Sequence, residues 1–310
     1  RAVDSFQTAL KLEPRMTEAV NRLSRLYLLR KQWKEAEELF SWLIGRDSTD
    51  VDAWIGMGTV YRFKGERQKA KKFFLECKER FSGNADIYQN LGELYLEEEK
   101  WLKSYENYSA VTRINEENVA AWLYSGLSLV YADSIGKAEP YLRKTLEFRP
   151  DNFRANYLLG TILTQQSRSA EAVPFLQKAR KTIPEGQSPV VVLAPLANAY
   201  DDLGQYAYAD SAFEEALQLE PENGTILNNY AYSLCQREIE LDKALVMVKK
   251  AIELEGENSS FLDTMGWIYF QRREYQKALL NIKKAWALDE CGVEIGYHLE
   301  KNPDDIDSYP

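Results

Sequence analysis

The stretch from Val190 to Asn223, VVVLAPLANAYDDLGQYAYADSAFEEALQLEPEN, decides the fold. Leu193, Leu196, Ala197 and Tyr200 recur at three- and four-residue steps, and Ala209, Phe213, Ala216 and Leu217 do the same after Gly204. That spacing puts each set on one face of a helix. The stretch therefore reads as two amphipathic helices joined by a turn at Gly204. Pro221 stops the second helix, because it has no backbone donor and disfavours helix in the residue before it. Asn223 is placed to cap the helix that follows. Two short helices cannot hide these faces alone, so neighbours must cover them.

The chain supplies the neighbours. Laid along the sequence, the unit returns with a period of 34 residues, and copies span 17–50, 51–84, 85–118, 119–152, 153–186, 190–223, 224–258 and 259–292. Gln187, Ser188 and Pro189 form an insertion between two copies, and one extra residue falls in the turn near Glu238. An opening segment, 1–16, carries Ala2, Phe6, Ala9 and Pro14 and matches only the second half of the unit. The chain is therefore expected to begin inside a repeat, as a fragment of a longer protein. Residues 293–310 hold a partial helix and a polar tail, KNPDDIDSYP.

Matched places hold matched residues. The eighth position is small in every copy: Ser24, Gly58, Gly92, Gly126, Gly160, Ala197, Ala231 and Gly266. The twentieth is usually alanine, as at Ala36, Ala70, Ala138, Ala172, Ala209 and Ala278. Small residues there let paired helices approach, and large ones such as Trp54, Tyr61, Phe74, Tyr108 and Phe213 fill the space between them. Asn84, Asn118, Asn152, Asn223 and Asn258 close units and can cap the next helix. Pro140 and Pro174 are expected early in second helices, where a missing donor is best tolerated. No alternating β-branched segment bounded by turn residues signals a strand.

The run Trp54-Met57-Gly58-Tyr61-Ala70-Phe74, and likewise Leu193-Leu196-Ala197-Tyr200-Ala209-Phe213-Ala216-Pro221, resembles the tetratricopeptide repeat. The resemblance covers nearly the whole chain, to about Gly292. The copies holding LNNYAYSL (227–234) and LDTMGWIYF (262–270) are similar to those of bacterial repeat proteins of the Bacteroidetes and Chlorobi type. The resemblance implies an all-α fold, a right-handed superhelical solenoid of antiparallel helix pairs, with first helices on the concave face and second helices on the convex one. It also implies a scaffold that holds a peptide or partner segment in its groove.

Chemistry is excluded mainly by missing parts. The single histidine, His298, stands near the end of the array. No H-E-x-x-H, G-x-x-x-x-G-K-[ST] or G-x-G-x-x-G run occurs, so no catalytic residue, metal or cofactor is expected. Cys77, Cys235 and Cys291 are an odd number without C-x-x-C spacing and read as buried free thiols. Net charge is −9, which disfavours nucleic acid. No apolar run is long enough to span a membrane. The compartment is left open between bacterial cytoplasm and periplasm or cell envelope.

The resemblance turns positions 2, 5, 6, 9, 12 and 13 of each first helix inward. In the fourth and fifth copies these include Leu123, Tyr124, Leu127, Tyr131 and Tyr157, an apolar and aromatic strip. In the last three they include Asn198, Asn228, Asn229, Tyr232, Asp263 and Trp267. Asparagine can both donate to and accept from a peptide backbone. Packing between repeats is the alternative reading of each. Acidic residues outnumber basic ones at these places, among them Glu93, Glu97, Asp201, Asp202 and Asp263 against Arg62 and Arg154. A basic or neutral partner segment is therefore favoured. Asn198 and Asn229 match two places of the family's clamp for acidic chain ends, but Ala194, Ser260 and Thr264 stand where its basic residues belong. The alternative function is a structural repeat module of a larger bacterial enzyme or envelope assembly whose active domain lies outside this chain.

Overall fold

The computed structural model describes Thr8, residues 23–24 and residues 26–288. The expected half-unit before residue 17, except Thr8, lies outside the described residues, as do most of the first helix of copy 17–50, Cys291, His298 and the tail. Among the described residues there is no strand. The chain forms two compact units, Arg1–Pro150 and Asp151–Pro310.

In the first unit the helices are α1 (Trp33–Arg46), α2 (Val51–Phe63), α3 (Arg67–Arg80), α4 (Ala85–Glu97), α5 (Trp101–Ile114), α6 (Val119–Tyr131) and α7 (Ile135–Phe148). In the second they are α8 (Phe153–Gln165), α9 (Ser169–Lys181), α10 (Val190–Asp202), α11 (Tyr206–Leu219), α12 (Gly224–Gln236), α13 (Leu241–Glu255), α14 (Ser259–Gln271) and α15 (Tyr275–Leu288). Within each unit, each first helix packs on the second helix of its own copy, and that helix packs on the next first helix. Neighbouring first helices also approach one another, α2 to α4 in the first unit, and α8 to α10, α10 to α12 and α12 to α14 in the second. Neighbouring second helices stand farther apart. The first-helix side of each unit is thus the tighter one.

The repeated residues explain this packing. A Cβ on Gly58 would lie 2.6 Å from the Phe74 ring, and one on Gly160 would lie 2.5 Å from Leu176. Gly92 sits beneath Tyr108 in the same way. The small eighth position is therefore a seat for one large side chain of the second helix, and Phe74, Tyr108 and Phe213 are almost fully buried there. The caps form as the sequence implies. The Asn118, Asn152, Asn223 and Asn258 side chains accept the backbone N–H three residues on, at 2.9–3.1 Å. Asn84 accepts from Asp86 at 2.9 Å, and Asp50 caps α2 in the same manner. Pro189 replaces the asparagine before α10.

Each hairpin turn carries one left-handed residue: Lys31, Gly65, Glu99, Asp133, Ser167, Gly204, Glu238 and Arg273. The extra residue near Glu238 adds a second, Glu240, at φ 46°. One expectation needs correcting. Pro140 and Pro174 are not in the first turn; each is the sixth residue of its helix, so each removes one intrahelical hydrogen bond. Both helices nevertheless continue, held by burial of Ala138 and Leu142 in α7 and of Ala172 and Leu176 in α9.

Candidate partner-binding site

In the first unit the aromatic strip is partly consumed by packing. Tyr124 stacks on Tyr108 of the preceding second helix at 5.1 Å. Tyr131 stacks on Trp101 at 4.8 Å, although it remains 57% exposed. Leu123 and Leu127 are partly buried. The Tyr131 contact belongs to a series. The same two places, the seventeenth of one copy and the thirteenth of the next, hold Trp33 stacked on Phe63 at 5.9 Å and Arg67 paired with Glu97 at 3.1 Å. In the second unit they hold Ser169 donating to Asp202 at 2.6 Å. This latch joins successive repeats with whatever chemistry its two positions offer. Trp101 escaped the sequence reading, although its place repeats that of Trp33.

In the second unit α10, α12 and α14 bring the other candidates together. Asn198, Asn229 and Tyr232 are partly exposed on neighbouring first helices. The Tyr232 hydroxyl accepts the Gln236 amide. Asn228, Asp263 and Trp267 are buried instead. Trp267 stacks on Phe270 at 4.9 Å, and the Asn228 Oδ1 has no hydrogen-bond donor. Tyr157 is partly buried and stacks on Phe153 of its own helix at 6.1 Å.

Several of the charges expected to face inward are tied to neighbours. Arg62 binds Glu93 and, at 3.3 Å, Asn90. Asp201 accepts the Ser233 hydroxyl at 2.6 Å. Burial pushes the Asp201 carboxyl above its usual range, outweighing the Ser233 hydrogen bond and the nearby Arg237. Cys77 and Cys235 are buried and free, and burial pushes both thiols up to about 12. At neutral pH they are protonated and inert, as a packing role requires. Among the described residues no group of three His, Cys, Asp or Glu could hold a metal ion, and no helix is long and apolar enough to cross a membrane.

The helix pairs, seated large residues and asparagine caps define a class of repeat protein, and comparison with known proteins agrees. Models of the tetratricopeptide repeat match residues 1–51 and 125–186, and residues 51–82 and 194–223, together more than half of the chain. The chain belongs to the tetratricopeptide repeat family. It is 24% identical over 293 residues to the mitochondrial import receptor subunit TOM70 of Homo sapiens, a match covering 87% of this chain and 47% of that protein. It is 25% identical over 197 residues to the TPR repeat-containing protein PA4667 of Pseudomonas aeruginosa, covering 63% of this chain and 33% of that one. The crystal structure of YrrB, a TPR protein with an unusual peptide-binding site, superposes with a TM-score of 0.56 at 20% identity, covering 62% of this chain and 97% of YrrB. The chain thus spans about half the length of TOM70 and a third of PA4667. At the level the family defines, it is a scaffold for protein–protein interaction.

Proposed function

We propose that this scaffold is non-catalytic and holds an extended segment of another protein against the first-helix face of α10, α12 and α14. One observation carries the reading. Asn198, Asn229 and Tyr232 stay partly exposed on first helices that approach one another, while the large residues around them are spent on packing. Asn198 and Asn229 offer paired donors and acceptors to a peptide backbone, and Tyr232 offers an aromatic face. With Asp201 and Asp202 at the end of α10, a basic or neutral segment is favoured over an acidic one.

The test is partner capture by the intact chain and by the triple variant Asn198→Ala, Asn229→Ala, Tyr232→Ala. None of the three fills a buried core position, so helix content should be unchanged by circular dichroism while capture falls at least about tenfold, the effect of losing roughly 1.4 kcal/mol. Undiminished capture by the triple variant would reject this face.

A further inference from the structure

Because neighbouring second helices stand apart, a junction between repeats within one unit leaves a gap whose floor is the first helix lying between them. At the junction of α5, α6 and α7 the gap is plugged. Tyr105 and Tyr141, one from each wall, meet edge to face at 5.6 Å with their hydroxyls 3.0 Å apart, and Trp122 rises from the floor to 5.7 Å from Tyr141. At the junction of α11, α12 and α13 the same three places hold Asp210, Met247 and Leu227. Asp210 turns away to a two-point ion pair with Arg237, at 2.6 and 3.0 Å. A cavity of about 620 Å³ is left, lined by Leu217, Leu227, Tyr230, Val246 and Met247. Val246 stands at its lip, 67% exposed.

We propose that this gap is a second docking site, one that takes an aromatic side chain of a partner protein with a lysine or arginine beside it. The plugged junction shows what such a gap accommodates: aromatic rings lying between second helices. An incoming ring would meet the Tyr230 ring and the Met247 thioether, both favourable neighbours for an aromatic face or edge. The volume falls within the range of sites that bury whole ligand groups. The charges at the rim select the flanking residue. Asp242 is bound to Arg272, and Lys243 is paired with Glu240 at 3.0 Å and lies over the Tyr230 ring. Glu214 is exposed and accepts the Tyr230 hydroxyl at 3.3 Å, and among the described residues no cation is paired with it. It is the group a neighbouring lysine or arginine would meet. The site is built from second helices and the floor between them, so it is independent of the first-helix face.

Methionine-methyl NMR of the full chain tests this, because Met247 reports on the cavity and Met57, in the core of the first unit, serves as the control. Titration with N-acetyl-tryptophanyl-lysinamide should shift the Met247 signal saturably and leave Met57 in place. Leu227→Trp, which supplies the plug from within, should abolish the shift. Should that variant lose helix content, Val246→Lys at the exposed lip serves instead, sets a like charge against the probe's lysine and should weaken the shift. Glu214→Gln should weaken the lysinamide probe about threefold, as befits an exposed ion pair, and leave N-acetyl-tryptophanamide unaffected. A Met247 signal that does not move at the probe's solubility limit, or that moves equally in the filled variants, overturns the proposal.

Discussion

The junctions α5–α6–α7 in one unit and α11–α12–α13 in the other share one helical plan and differ at three matched places that face the gap. Tyr105, Trp122 and Tyr141 close the first; Asp210, Leu227 and Met247 leave the second open. The helices are set by the small eighth position and its large seat partner, which both junctions keep. What lies between the second helices is free to vary. A repeat array can therefore make or lose a binding cavity without changing its fold.

The largest effect expected separates seat from gap. Phe213 is fully buried in the seat of its repeat and stacks on Tyr230, the floor of the open gap, at 5.0 Å. Phe213→Ala should cost about 3–5 kcal/mol in urea unfolding. A loss as small as that of an exposed substitution would mean the seats do not hold the repeats. Next comes the closeness of the seat itself. Gly58→Ala drives a Cβ into the rigid Phe74 ring and should cost about 1–3 kcal/mol, whereas Gly92→Ala, 3.0 Å from Tyr108, should cost less. A reversed order would show that the seats are not the points of closest approach.

A smaller effect concerns the ion pairs that cross from one repeat to the next. The same two places hold Glu37 with Lys64 at 2.8 Å, Lys71 with Glu98 at 2.5 Å and Asp210 with Arg237 at 2.6 Å. The polarity alternates, so geometry rather than sign is retained. Lys71→Glu or Glu98→Lys alone should cost up to about 1 kcal/mol, and the exchanged pair should recover most of it in a double-mutant cycle. The smallest effect is the pH response of Asp201. Its folded-state carboxyl is raised above 3.8 by burial, so the folded chain holds that proton more tightly than the unfolded chain. The stability contributed by this group is fullest below pH 3.8 and declines as pH rises through the raised value. Asp201→Asn, which can still accept from Ser233, should remove that decline and be neutral or stabilising at pH 7. A marked loss at pH 7 would contradict the burial account.

Much of this was legible in the residues. The period, the small eighth position and the asparagine caps recur because every copy solves the same packing problem, so one sequence contains its own comparison set. Side-chain direction was harder to read. The positions of Tyr124 and Tyr131 place them on an inward face, but Tyr108 and Trp101 on the preceding second helix draw both rings into stacking. Asn228 and Asp263 share a register with Gln89, which is partly exposed, yet they are buried on α12 and α14, which approach each other closely. The prolines misled for a simpler reason. An early place spares the helix only within its first turn, and Pro140 and Pro174 stand sixth, where the missing donor costs a hydrogen bond. The open gap left no motif at all. It follows from what Leu227 and Met247 are not, and shows only when their places are compared with Trp122 and Tyr141.

Site-specific photo-crosslinking in cells tests the central claim most directly. A photoreactive residue at position 229, on the first-helix face, should form an adduct with a discrete partner polypeptide, and one at position 147, exposed on second helix α7, should not. Adducts from position 147 with none from position 229 would contradict the assignment of the first-helix face as the surface that holds the partner.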